Sequence, residues 1–241
     1  MKMHTRWFSH RLQSDVSVAR WGHFGKPVLV FPTAGGDAEE IERHHMVDAL
    51  GPLLEAGRVK LYSCDSVAGA AMMSGEGNPR FRAALLNAFH EFIYREAVPA
   101  IRLDCASSDI GVIASGASIG AFNALAVLCR YPDAFTHAVG MSGTYDVQRF
   151  IGGDISEDLY LATPVFFLPN LDGPQLDQLR SRFVILASGE GAWENIGESW
   201  RMADVLGSKG VPNRVDPWGT EWEHSWPTWR RMLPQYLEEL T

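Results

Sequence analysis

Lysine is scarce in this 241-residue chain: four of its 21 basic residues are lysines, set against 29 acidic residues for a net charge of −8. The arginines are scattered, so the clustered positive charge that a phosphate backbone requires is missing, which argues against a nucleic-acid partner. Apolar runs of membrane-spanning length are also missing, and the opening MKMHTRWFSHRLQ has no signal-peptide core. The expectation is a cytoplasmic protein with no membrane association. Cysteine is sparse as well. Cys64, Cys105 and Cys129 cannot all pair and show no CxxC spacing, so they read as reduced thiols rather than a disulfide framework. No internal repeat, low-complexity tract or Pro/Ser-rich linker interrupts the sequence, which favours one domain over residues 1–241.

Further absences remove particular chemistries. No Gly-Lys-Ser/Thr occurs, so a P-loop is excluded, and no tyrosine is followed four residues later by lysine as short-chain dehydrogenases require. His44 and His45 are adjacent and project differently, and no His-Glu-x-x-His accompanies them. Neither a metal nor a cofactor is expected.

What is present is an alternation of strand-like and helix-like segments. Two short strands at 5–13 and 17–23 read as an antiparallel hairpin. Strands follow at 27–33, 59–66, 109–115, 135–146, 182–191 and 213–219. Helical patterns lie between or after them at 37–50, 80–101, 122–131, 199–210 and 225–240. This order predicts an α/β fold: an eight-stranded, mostly parallel sheet with helices on both faces and its chemistry at the carboxyl ends of the strands. Segment 147–175 is irregular but rich in apolar and aromatic residues, and reads as a small cap or pocket cover.

Within that order, Gly116-Ala117-Ser118-Ile119-Gly120 joins a buried strand directly to a helix. A dinucleotide loop fits poorly, because the turn arrives after more than 100 residues and Phe122 stands where the last glycine belongs. A nucleophile turn of the G-x-S-x-G kind fits well, with small residues at 116, 117, 120 and 121 letting strand and helix approach. Ser118 is therefore the candidate nucleophile. His224, in the loop before the last helix, is the candidate base; His137 lies within a strand, and the other histidines precede Ser118. The acid belongs in the loop after the 182–191 strand, where Ala192 occupies the usual place and Glu190 and Glu194 bracket it. Glu194 fits if Gly191 marks the turn, Glu190 fits a shorter loop, and Asp146 is a third candidate from the preceding strand. Glu194 is slightly preferred. An oxyanion hole would use the N–H groups of Ile119 and Ala34, with Thr33 or Gly35 beside the latter. Trp193, Trp222 and Trp226 are candidate pocket walls.

The blocks YSCDS, GASIGAFNAL, MSGTYD, FLPNL, ASGEG and EHSWPTWRRMLP together resemble the α/β-hydrolase superfamily, within it the bacterial esterases related to esterase D and S-formylglutathione hydrolase. The resemblance runs over nearly the whole chain. It implies cofactor-free hydrolysis of a small-molecule ester or thioester, with Ser118 and His224 in the family's nucleophile and base positions. It departs at Ala192, where related sequences often carry Asp, so a non-catalytic binding protein on the same fold is the alternative. The sequence is compatible with a homo-oligomer.

Overall fold

The computed structural model describes residues 2–241. Its centre is one eight-stranded sheet formed by β1 (Lys2–Ser9), β2 (Ser14–Trp21), β3 (Lys26–Phe31), β4 (Val59–Cys64), β5 (Val112–Ala117), β6 (Phe135–Met141), β7 (Phe183–Ser188) and β8 (Asn213–Pro217). The spatial order is β1-β2-β4-β3-β5-β6-β7-β8. The β1–β2 and β2–β4 pairs are antiparallel, and every later pair is parallel. The expected fold class is thus the observed one.

Burial follows from this arrangement. Strands β3 to β5 are covered on both faces; β3 accordingly reads as a nearly continuous apolar run, while β4 and β5 also bury Lys60, Ser63 and Ser115. Edge strand β1 is mostly exposed and mostly polar, which discourages pairing with another chain. The pleat sorts the two cores: Val28, Val30, Ile113 and Val139 face one way, while Leu29, Phe31, Ala114 and Ala138 face the other.

The helices depart from the sequence expectation in instructive ways. Residues 37–50 do not form one helix. They break into α1 (Glu40–Arg43) and α2 (Met46–Ala49), followed by α3 (Gly51–Glu55), because His45 adopts a left-handed conformation with φ 59°. Helix α4 (Val67–Ser74) was not legible, since its mostly apolar sequence carries no amphipathic stripe. Helix α5 (Pro79–Phe92) starts where expected, with the Asn78 side chain accepting the Phe81 N–H at 2.9 Å. It runs through a π turn at Ile93–Ala97 into α6 (Val98–Asp104). The wide turn falls just before Pro99, whose missing N–H and bulky ring are incompatible with a regular ladder.

Helix α7 (Ile119–Arg130) is buried along almost its whole length. The 147–175 region is more regular than its sequence suggests. It holds α8 (Gln148–Ile151), α9 (Glu157–Ala162), α10 (Pro164–Phe167) and the start of α11 (Gly173–Leu179). Helices α12 (Ile196–Ser208) and α13 (Trp226–Leu240) complete the chain, and α13 supplies Trp229, Met232, Leu233 and Tyr236 to the second core. Among the described residues no helix is long and apolar enough to cross a membrane. The three cysteines are free, and burial pushes the Cys64 and Cys129 thiols far above their ordinary range.

Candidate active site

The turn from β5 into α7 places Ser118 at φ 57°, ψ −122°, a conformation that L-residues rarely adopt. The neighbouring glycines make it feasible. A Cβ on Gly116 would stand 2.4 Å from the Gly120 carbonyl carbon, and one on Gly120 would stand 2.5 Å from the Phe31 carbonyl oxygen. Strand, helix and the end of β3 can therefore close on one another only without side chains at 116 and 120. The Ser118 N–H donates to the Met141 carbonyl at 3.0 Å, tying the turn to β6. Ile119, as first residue of α7, points its N–H outside the intrahelical ladder.

His224 lies between β8 and α13, and its loop is laced to the loop after β7. Glu190 N–H donates to the Gly219 carbonyl, Gly191 N–H to that of Trp222, and His224 N–H to that of Ala192, each at 3.0 Å. A Cβ on Gly189 would stand 2.1 Å from the Trp222 carbonyl oxygen, so this close approach also needs glycine. Ala192 thus serves through its backbone. The next residue, Trp193, has φ 65° and is 92% exposed. This left-handed step turns the chain so that the Glu194 side chain points inward, where it is only 1% exposed.

The Glu194 Oε2 stands 3.5 Å from His224 Nδ1, a separation long for a hydrogen bond. The same carboxylate accepts a close hydrogen bond from the Ser142 hydroxyl, and the Ser188 hydroxyl lies 3.3 Å away. Ser142 in turn accepts the buried Trp229 Nε1–H at 2.9 Å. Ser142 itself sits at φ 49°, just past β6, with its N–H on the Ala187 carbonyl at 2.8 Å. Trp229 also meets the His224 ring edge-on, centroids 5.2 Å apart. Sequence reasoning did not single out Ser142 or Trp229. Their signal lay in the MSGTYD and EHSWPTW blocks, where each is one residue among several without obvious chemistry.

The other candidates occupy different places. Glu190 is exposed, and its carboxylate makes no ion pair among the described residues. Asp146 pairs with Arg201 at 3.1 Å and accepts the Gln148 N–H, away from His224. His137 lies near the start of β6, opposite the carboxyl ends, and burial followed by Lys26 holds its imidazole below the ordinary range. Thr33 gives both its N–H and its hydroxyl to the buried Glu40 carboxylate, at 2.7 and 2.6 Å. It has no donor left for a ligand. Ala34 is half-buried, its N–H has no partner among the described residues, and Gly35 beside it is exposed.

A cleft of about 250 Å³ is lined by Ser118, His224, Thr144, Arg149, Phe150 and Trp193, among others. Trp222 and Trp226 pack elsewhere. Trp226 stacks on His44 with centroids 4.4 Å apart, and Trp222 meets Trp218 edge-on at 5.1 Å. His45 pairs with Asp48 at 2.9 Å, so the two adjacent histidines have separate partners. Among the described residues no three His, Cys, Asp or Glu side chains converge as metal ligands. The arrangement supplies a strained hydroxyl, an imidazole and a buried carboxylate beyond the carboxyl ends of β5, β8 and β7, which suits nucleophilic attack on a carbonyl.

Comparison with known proteins gives the family and the fold. A family model described as "Putative esterase" matches residues 55–239. Comparison with curated proteins finds no match. Among solved structures the chain is similar to a ferulic acid esterase, with TM-score 0.75 and 15% identity over 100% of this chain and 97% of the other. It is similar to an S-formylglutathione hydrolase from Agrobacterium tumefaciens, with TM-score 0.72 and 11% identity over 99% and 94%. It is also similar to MPT51 (FbpC1) of Mycobacterium tuberculosis, with TM-score 0.74 and 16% identity over 99% and 97%. At such identities the likeness is one of fold.

Proposed function

This chain belongs to that esterase family and is a carboxylic ester hydrolase of α/β-hydrolase fold, and on that premise we propose that it works through an acyl-enzyme formed on Ser118. His224 takes the Ser118 hydroxyl proton as Oγ attacks the ester carbonyl carbon. The carbonyl oxygen gathers negative charge and accepts hydrogen bonds from the N–H groups of Ile119 and Ala34. Collapse expels the alcohol, which leaves with the proton from His224. A water, deprotonated by the same imidazole, then cleaves the acyl-enzyme and releases the carboxylic acid.

Glu194 orients the imidazole in this scheme. Its carboxylate faces Nδ1, which leaves Nε2 for the serine, and the Ser142 hydroxyl braces it from behind. The 3.5 Å gap is the kind that shortens when a substrate closes the site. One observation carries the proposal. Ser118, strained at the head of α7, lines the same cleft as a histidine backed by a buried glutamate.

Fluorophosphonate labelling followed by peptide mapping tests it. The expected result is a covalent adduct on Ser118, with labelling and aryl-ester hydrolysis both abolished in Ser118→Ala. Ester hydrolysis by protein whose Ser118 stays unlabelled, or hydrolysis that survives in Ser118→Ala, would overturn the assignment. A matched set of esters and thioesters then reads which leaving group is preferred.

A further inference from the structure

We propose that Arg149 selects esters that carry a second, ionised carboxylate, binding that group at the mouth of the cleft while Ser118 attacks the ester. The inference rests on Ser118 being the nucleophile and adds the substrate class.

The first observation is one of charge. The protein carries eight more acidic than basic residues. Yet the side chains lining the cleft include one permanent cation, Arg149, and no aspartate or glutamate. A cleft whose lining holds one permanent cation and no carboxylate attracts anions.

The second observation is that the guanidinium is uncommitted. It donates one hydrogen bond to the Thr144 hydroxyl at 3.3 Å and lies 4.7 Å from the Phe150 ring centroid. Among the described residues no carboxylate stands within ion-pairing distance of it. The acids closest to it in the fold are otherwise engaged. Asp146 pairs with Arg201, and Glu198 accepts the N–H groups of Tyr145 and Asp146 at 2.9 and 3.3 Å. A guanidinium offers five N–H donors in a planar fork matched to a carboxylate, so most of its capacity is left for a ligand.

The third observation is support from below. Arg149 sits on α8, and the carbonyl of Ile151 at the end of that helix accepts two bonds from Arg82, at 3.2 and 2.7 Å. Arg82 also binds the Gly75 and Gly77 carbonyls, so it pins α8 to the turn before α5. Phe150 and the exposed Trp193 line the same cleft and offer apolar surface to the carbon chain between ester and carboxylate.

The experiment compares mono-aryl esters of succinate, glutarate and adipate with neutral aryl esters of equal length. The expected result is a kcat/KM ratio of anionic to neutral ester above unity at one chain length, arising in KM. That ratio should fall by about tenfold in Arg149→Met and recover partly in Arg149→Lys; water at this exposed site keeps the effect below that of a buried pair. A ratio at or below unity at every length, or one that Arg149→Met leaves unmoved, overturns the proposal. Calorimetry separates its failure from failure of the serine mechanism, because binding of the non-hydrolysable mono-anilides of the same acids to Ser118→Ala needs no catalysis. Binding lost in the Ser118→Ala, Arg149→Met double variant supports Arg149 as the anion site. Equal binding by the two proteins, or binding by neither, refutes it.

Discussion

Glu40 turns its carboxylate back onto Thr33, accepting the backbone N–H at 2.7 Å and the hydroxyl at 2.6 Å. This buried pairing shapes the loop after β3. It occupies the donors of Thr33 and leaves the next N–H groups, those of Ala34 and Gly35, without a partner among the described residues. Gly36 is part of the same device, since a Cβ there would stand 2.4 Å from the Glu40 carboxyl carbon.

Breaking that pairing should therefore act on turnover. Glu40→Ala strands the Thr33 N–H, a loss of about 1–3 kcal/mol in stability, and lets the Ala34 N–H drift. We expect kcat on an aryl ester to fall by about tenfold or more. Gly36→Ala should fall in the same direction by pushing the carboxylate aside. Glu40→Gln should stay nearer wild type, because the amide oxygen still accepts from Thr33 N–H and the amide nitrogen donates to its hydroxyl. Wild-type kcat in Glu40→Ala would remove this loop from the mechanism.

The two glutamates of the β7–α12 loop should behave very differently. Glu194→Gln should lower kcat by about a hundredfold or more, as expected when an imidazole loses its orienting carboxylate. Glu190→Gln, a change on the surface, should stay within about twofold. The reverse ranking would reject Glu194. Ser142→Ala should lower both Tm and kcat, since it deprives Glu194 of a donor and the buried Trp229 N–H of its acceptor.

Acid stability should carry the mark of His90. Its imidazole is fully buried between Asn123 and Arg130, and burial first, then the Arg130 charge, holds it down at about 3. In the unfolded chain it titrates near 6.5. Between those values the unfolded state binds a proton that the folded state refuses, so stability falls as pH falls, by up to about 1.4 kcal/mol per unit. The lowered carboxylates, such as Glu96 and Asp104, add a loss of the same sign only nearer their ordinary values of 4.5 and 3.8. Urea unfolding at pH 7, 6 and 5 should show the decline, and His90→Gln should flatten it, with His137 supplying the remainder. Parallel slopes for the two proteins would exclude His90 as the source.

Much of this protein was open to reading along the chain. Local pattern suffices for a buried strand such as β3, since a parallel strand covered on both faces is mostly apolar, and for the turn at Ser118, where only small residues allow the approach. Position in the chain singled out His224. The helix break at His45 and the helices of 147–175 escaped, because a left-handed residue or a run of short helices is stabilised by tertiary neighbours such as Trp226 on His44, not by periodicity. The sequence by itself determined which residues have the chemistry and in what order they come. Only the tertiary structure decided which carboxylate meets the imidazole. That choice hangs on three backbone bonds between two loops about thirty residues apart and on the left-handed turn at Trp193, neither of which a linear pattern encodes.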